Sequence, residues 1–255
     1  MRMDIAFPRI EPSVAEDSFR HGSGRSLPVA RIELGGVPRG AAIVLCDAGA
    51  LERDAAGFMN GLAEHGYESV AVDLSPTGGD PTGTTDRDLV SDVAVLVGRL
   101  GERGWSPAQV GLVGYGFGGR TALLATAEFA LGAAVSIAPS GVADAWSDAL
   151  PPLIQVARHV RTPWLGLFGQ QDPGAPADVL ARLGSYLGGS PAHTEVVTYP
   201  GVARDFYRDA RETLAHVASF DAWQRTIEWL DRRVVPRPTP LAAEWQRRVA
   251  SAARA

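Results

Sequence analysis

The chain contains no lysine: its basic residues are all arginine, which reads as a base-composition bias of the source genome. It has one cysteine, Cys46, which excludes a disulfide framework within the chain. No apolar run reaches the length of about 18 residues that a membrane-spanning helix needs. The opening stretch Met-Arg-Met-Asp-Ile-Ala-Phe-Pro lacks an apolar core of signal-peptide length, so a soluble cytoplasmic protein is expected. The formal net charge is −5, which gives no electrostatic reason to expect a nucleic-acid partner. No group of side chains has metal-ligand spacing, and neither a metal nor another cofactor is expected. No internal repeat is visible.

What is present is enough for one sizeable domain: 255 residues, 45% of them hydrophobic. Residues 1–26 are polar and turn-rich and read as an irregular lead-in. Val29 to Leu34 alternates, as a half-exposed edge strand does, and Ala41 to Cys46 is a buried strand. Arg53 to His65 reads as a helix closed by Gly66, and Ser69 to Leu74 as the next strand. Pro76 to Thr85 is a surface loop. Leu89, Val93, Leu96 and Leu100 give Asp86 to Arg103 one apolar helical face. After the central motif come strands at Ala133 to Ala138, Trp164 to Phe168 and Thr194 to Thr198. The stretch from Asp144 to Val160 is expected to be partly helical. Helices are expected at Ala175 to Leu187 and Val217 to Val234, then a proline-containing linker and a short helix over 235–255. Alternating strands and helices predict a mostly parallel sheet covered on both faces, with ligands at the C-terminal ends of the strands.

The central motif is Val110 to Val113 followed by Gly114-Tyr115-Gly116-Phe117-Gly118-Gly119 and a helical pattern. A strand, a sharp turn and a helix of this kind make a nucleophile elbow, Gly-x-Ser-x-Gly. Here the central position is Gly116, so the elbow has no side-chain nucleophile. The same glycines match the dinucleotide fingerprint G-x-G-x-x-G. That reading is disfavoured, because two strands precede the motif and the next strand runs into Pro139-Ser140-Gly141 rather than an acidic residue.

Four segments resemble the dienelactone hydrolase family of the α/β-hydrolase superfamily, over about Val29 to Leu230. They are Ala-Ile-Val-Leu-Cys-Asp-Ala-Gly-Ala-Leu, Gly-Tyr-Gly-Phe-Gly-Gly, Leu-Phe-Gly-Gln-Gln-Asp-Pro, and Thr-Tyr-Pro-Gly-Val-Ala-Arg-Asp-Phe with the helix after it. The resemblance implies a three-layer α/β-hydrolase fold over residues 27–234. It places the nucleophile at Gly116, the acid at Asp172 and the base at Arg204, in the order usual for that superfamily. The family's first-loop Glu maps to Asp47, one methylene shorter.

Gly116 supplies no nucleophile, and Arg204 stays protonated and is no ordinary base. Conventional covalent ester hydrolysis is therefore not expected. The backbone N–H of Phe117 and one near Ala48 remain available for an oxyanion-type pocket, with Tyr115 beside it. Arg204 either pairs with Asp172, holds an anionic ligand, or lies exposed. Asp172 and Asp47 each have an alternative role as helix caps, and Cys46 as a small core residue. His65, His159, His193 and His216 all fall in segments that do not replace the base. The expectation is a protein that binds a small anionic or carbonyl-containing molecule, or a partner. The alternatives are an isomerase, lyase or cyclase, and a hydrolase using activated water. The tail after Pro240 is a candidate for oligomerisation.

Overall fold

The computed structural model describes residues 9–20, 26–75, 83–208 and 213–252. Eight strands form one sheet: β1 (Ser13–Arg20), β2 (Ser26–Ile32), β3 (Gly40–Cys46), β4 (Tyr67–Asp73), β5 (Val110–Tyr115), β6 (Ala133–Ile137), β7 (Trp164–Gly169) and β8 (Thr194–Tyr199). Their spatial order is β1-β2-β4-β3-β5-β6-β7-β8. Pairing is parallel from β4 to β8 and antiparallel for β1 with β2 and β2 with β4.

The central strands are apolar throughout because both of their faces are covered. Every residue of β3 is buried. Its side chains alternate: Ile43 and Leu45 enter one core, Ala42, Val44 and Cys46 the other. The first core is closed by α3 (Asp86–Glu102), α4 (Phe117–Glu128) and α5 (Ala177–Leu187). The second is closed by α2 (Ala55–Glu64) and α6 (Thr213–Arg233). The short α1 (Ala50–Arg53) precedes α2, and α7 (Pro240–Ala252) follows α6. This is the α/β-hydrolase architecture. Among the described residues no helix is long and apolar enough to cross a membrane.

Helix α3 buries Leu89, Val93, Leu96 and Leu100, the expected stripe. Its start is fixed by a capping box in which Thr85 and Asp88 satisfy each other's backbone N–H. At its N-terminus Asp86 meets Arg120 of α4, which is fully buried, with Nη2 2.8 Å from Oδ1. Arg120 also donates to the carbonyls of Pro151 (2.7 Å) and Gly141 (3.4 Å), tying the loop after β6 to the two helices. Gly66 ends α2 at φ 80, as its position suggested.

Three readings of the sequence are corrected. The polar lead-in contains β1, which pairs through its backbone with β2, so β2 is not the edge. Such a strand needs a ladder partner and no apolar alternation. The helix expected over Arg53 to His65 is broken at Asp54, where φ is −122. The stretch from Asp144 to Val160 carries only single 3-10 turns, Leu153–Gln155 and Ala157–His159, because Pro151 and Pro152 preclude a continuous helix. Most of the expected loop Pro76 to Thr85, residues 76–82, lies outside the described residues.

Candidate functional site

The elbow is built as a backbone object. Gly116 sits between β5 and α4 at φ 51, ψ −113, a conformation that favours glycine. Its N–H donates to the Ile137 carbonyl at 2.9 Å, and its carbonyl accepts from Ser140 N–H at 2.9 Å and Arg120 N–H at 3.0 Å. Close packing explains Gly118: a Cβ there would lie 2.0 Å from the Leu45 carbonyl oxygen. Helix α4 thus begins directly against the ends of β3 and β5.

Position 116 carries a second constraint. A Cβ there would lie 2.3 Å from Asp47 Oδ2 and 2.5 Å from Asp47 Cγ. The carboxylate of Asp47, which follows β3, fills the room over the elbow. Phe117 N–H, at the first turn of α4, donates to Asp47 Oδ1 at 3.2 Å. An anion at the positive end of a 12-residue helix is favourably placed. Tyr207 Oη donates to Asp47 Oδ2 at 3.2 Å, and the Arg208 guanidinium pairs with the same oxygen. Burial, aided by the Asp47 charge, pushes the Tyr207 phenol well up, so it remains a donor. The side chain of Asp47 does not cap α1, the helix that follows it; there only its backbone carbonyl serves, accepting from Ala50 N–H at 2.8 Å. Ala48 is exposed, and no hydrogen bond joins its N–H to the site among the described residues. The expected oxyanion pocket is therefore replaced by a carboxylate, with Phe117 N–H already engaged.

Two spaces flank Asp47. On one side a cavity of 240 Å³ is lined by Cys46, Asp54, Phe58, Tyr115, Tyr207 and Arg208. Tyr115 stacks on Tyr207 with centroids 5.5 Å apart and meets the edge of Phe58 at 5.0 Å. Burial pushes the Tyr115 phenol well above its ordinary range. It also pushes the Cys46 thiol up to about 12, with Asp73, Asp54 and Asp47 adding to the effect, so Cys46 is a protonated core thiol. On the other side a groove of 490 Å³ is lined by residues that include Asp47, Ser140, Asp144, Trp146, Gly174 and Arg204.

Arg204 enters this groove from the loop after β8 and donates through Nη2 to Ser140 Oγ. No ion pair joins it to Asp172 or to any other carboxylate among the described residues, so the expected Arg204–Asp172 pair is not formed. Gly174 lies between the two: a Cβ there would be 3.3 Å from Asp172 Oδ1 and 3.8 Å from Arg204 Nη1. Asp172 is 2% exposed. Its Oδ1 accepts from Gly174 N–H at 2.8 Å, while its buried Oδ2 has no hydrogen-bond partner among the described residues. Nor does Asp172 cap α5, which starts at Ala177 after Pro176.

Among the described residues no histidine lines the groove. His193 lies at the opposite end of β7, where its carbonyl accepts from Trp164 N–H at 3.0 Å. His159 is in the 3-10 turn Ala157–His159, and His65 follows α2. Among the described residues no cluster of His, Cys, Asp and Glu is arranged to hold a metal ion. The structure thus brings Gly116, Asp47, Phe117, Tyr115, Asp172 and Arg204 around one region at the C-terminal ends of the strands. It adds Ser140, Tyr207 and Arg208, which the sequence reading did not single out. Ser140 follows β6, and the strand-end rule applied to that strand would have pointed to it. Arg208 follows Arg204 by a single 3-10 turn, Arg204–Tyr207.

The family model described as "Dienelactone hydrolase family" matches residues 36–234, which contain the elbow and both flanking spaces. The chain belongs to the dienelactone hydrolase family. Its relatives include a protein of Salmonella typhimurium named "Putative carboxymethylenebutenolidase", 27% identical over 183 residues, covering 66% of this chain and 68% of that one. A protein of the same name from Methylorubrum extorquens is 28% identical over 186 residues, covering 66% and 63%. Among solved structures, a "Putative Dienelactone Hydrolase" from Klebsiella pneumoniae superposes with a TM-score of 0.73 at 23% identity, covering 87% of this chain and 99% of that one. An esterase from Thermogutta terrifontis gives 0.67 at 16% identity, covering 91% and 97%. At these identities the two structures establish the shared fold and nothing further.

Proposed function

We propose that this dienelactone hydrolase family member binds a small anionic or carbonyl-containing molecule in the groove beside Gly116, without forming a covalent acyl intermediate. The observation that carries this reading is the Asp47 carboxylate over Gly116. Where a hydrolase of this architecture needs a nucleophile and a free oxyanion donor, this chain has a fixed negative charge bonded to Phe117 N–H. Arg204, at the position where the family has a base, is a donor with a permanent charge. Among the described residues its side-chain partner is the Ser140 hydroxyl, which leaves it able to receive a carboxylate from the groove.

The test has two parts. Turnover of 4-nitrophenyl acetate by the parent is compared with that of Gly116→Trp, and no difference is expected. Thermal unfolding is then followed with added benzoate and succinate. A bound ligand at 100 times its dissociation constant stabilises by about 2.7 kcal/mol, and Arg204→Gln should abolish that gain. Turnover well above the control would overturn the non-hydrolytic reading and point to activated water. No stabilisation by either probe, or equal stabilisation of Arg204→Gln, would overturn the binding reading.

Asp172 favours a second reading. It is a buried carboxylate behind Gly174 of the groove wall, with one oxygen that has no hydrogen-bond partner among the described residues, and on this reading that oxygen would take a proton from a carbonyl compound once the wall opens, as an isomerase or lyase requires. Exchange of the α-hydrogens of added 2-oxo acids in deuterated water, lost in Asp172→Asn, would support it. Absence of exchange in the parent would remove it.

A further inference from the structure

Two apolar stripes are left uncovered at opposite ends of the protomer. The first is on α6. Its inner face buries Ala215, Ala218, Ala222, Thr226 and Leu230, while Leu214, Val217 and Phe220 face outward at 60%, 59% and 60% exposure. The second is on α7, where Leu241, Trp245 and Val249 recur every four residues at 77%, 67% and 51% exposure. In water, isolated apolar side chains are ordinary, but two ordered stripes are not.

Neither stripe can cover the other within one chain. Leu214 lies at the strand-end face: a Cβ at Gly201, in the loop after β8, would be 3.4 Å from its Cδ1. The other end of α6 lies at the base of the sheet, where Val234 packs against Gly40 and Gly132. A helix of 21 residues is about 30 Å long. The linker to α7 is fixed at that base: Val235 N–H donates to the Ala108 carbonyl and Arg237 N–H to the Arg39 carbonyl, both at 2.8 Å. The Arg237 guanidinium sits 3.5 Å over the Trp105 ring. The arm therefore leaves the body from an anchored point, one helix length from the first stripe.

We infer that these stripes form a two-fold interface between copies of this chain, the Leu241–Trp245–Val249 face of each α7 lying on the Leu214–Val217–Phe220 face of the other's α6. Antiparallel α6 helices across a two-fold axis bring the strand-end half of one beside the base of the other, where its α7 begins. One symmetry operation then covers all four stripes. The lengths agree: the α6 stripe spans about 9 Å and the α7 stripe about 12 Å at 1.5 Å per residue. With about 100 Å² lost from each of twelve side chains, the pair would bury roughly 1,200 Å², at the lower end of stable interfaces. The α6 stripe adjoins the loop that carries Arg204, so the partner's α7 would lie along the rim of the groove.

The experiment is light scattering after size exclusion on the full chain, with circular dichroism melting to show that each variant folds. The parent is expected at twice 26.9 kDa. Val217→Arg and Trp245→Glu, the central residues of the two stripes, should each give a monomer. The double variant carries both changes in one chain and creates two complementary Arg–Glu contacts, so it should recover the dimer mass. A monomeric parent overturns the proposal. So does a dimer that survives either single change, or a double variant that stays monomeric. Flotation of a monomeric parent with phosphatidylserine vesicles would reassign the stripes to a membrane surface. Failure of the groove to bind any ligand leaves these outcomes unaffected.

Discussion

Gly116→Ala is the most direct test of the site's geometry. The backbone at φ 51, ψ −113 penalises any Cβ, and residues held in such regions cost about 1–3 kcal/mol. The new carbon would also lie 2.3 Å from Asp47 Oδ2, so the carboxylate must leave. Its departure breaks the charge-assisted bond from Phe117 N–H, a contact of about 1.5–3 kcal/mol. The loss should therefore be about 3–5 kcal/mol, which for a chain of this size lowers the melting temperature by roughly 10 °C. Asp47→Ala alone should cost about 1.5–3 kcal/mol, because it loses the same bond from Phe117 N–H, while Arg208 can turn to solvent. In the double variant no carboxylate remains to be displaced. Its cost should fall short of the sum of the single changes by about 1.5 kcal/mol, a coupling expected only for residues in contact. Denaturant or thermal unfolding of all four proteins measures it. A Gly116→Ala variant as stable as the parent, or a cycle additive within about 0.5 kcal/mol, would refute the placement of Asp47 over the elbow.

Other predictions follow from the same structure. Asp86→Asn should cost about 3–5 kcal/mol in unfolding experiments, since it leaves the fully buried Arg120 without its counter-charge; Arg120→Met with Asp86→Leu should recover most of it. Cys46, its thiol pushed up to about 12, should resist iodoacetamide at pH 8 in the native state and react on unfolding. Its contribution to stability is full below the unfolded thiol value near 8.5 and is lost as pH rises towards 12, so Cys46→Ala should lessen alkaline destabilisation. Restoring Ser at 116 and His at 204 should yield 4-nitrophenyl acetate turnover only when Asp47 is also shortened to Gly, which opens the room above the elbow.

Much of the fold was legible because local pattern and burial agreed. The apolar run of β3 and the period of α3 needed no knowledge of their partners. The elbow was visible from its glycines, and its missing side chain from Gly116 alone. β1 escaped because its stability is in backbone pairing, which leaves no apolar signature. Between Asp144 and Val160, expected to be partly helical, the helical part is two 3-10 turns, cut short after the Pro-Pro pair. The contents of the site escaped for a different reason. Asp47 meets Phe117 across 70 residues and Arg204 meets Ser140 across 64, distances set by the pairing of β3 with β5 and by the loops beyond β6 and β8. Whether a carboxylate caps a helix or fills a turn is decided by that tertiary geometry.

The sharing of one volume by residues 47 and 116 has an evolutionary consequence. Gly to Ser or Cys at the elbow and Arg to His at 204 are each a single nucleotide change from some codons. Neither is silent in this background. The first collides with Asp47, and shortening Asp47 first removes the anion that faces Arg208 and the start of α4. A side chain at 116 and a carboxylate at 47 therefore exclude each other, and the order in which the two positions change sets how much stability is lost on the way. Ancestral sequences around the branch should show positions 47 and 116 changing together.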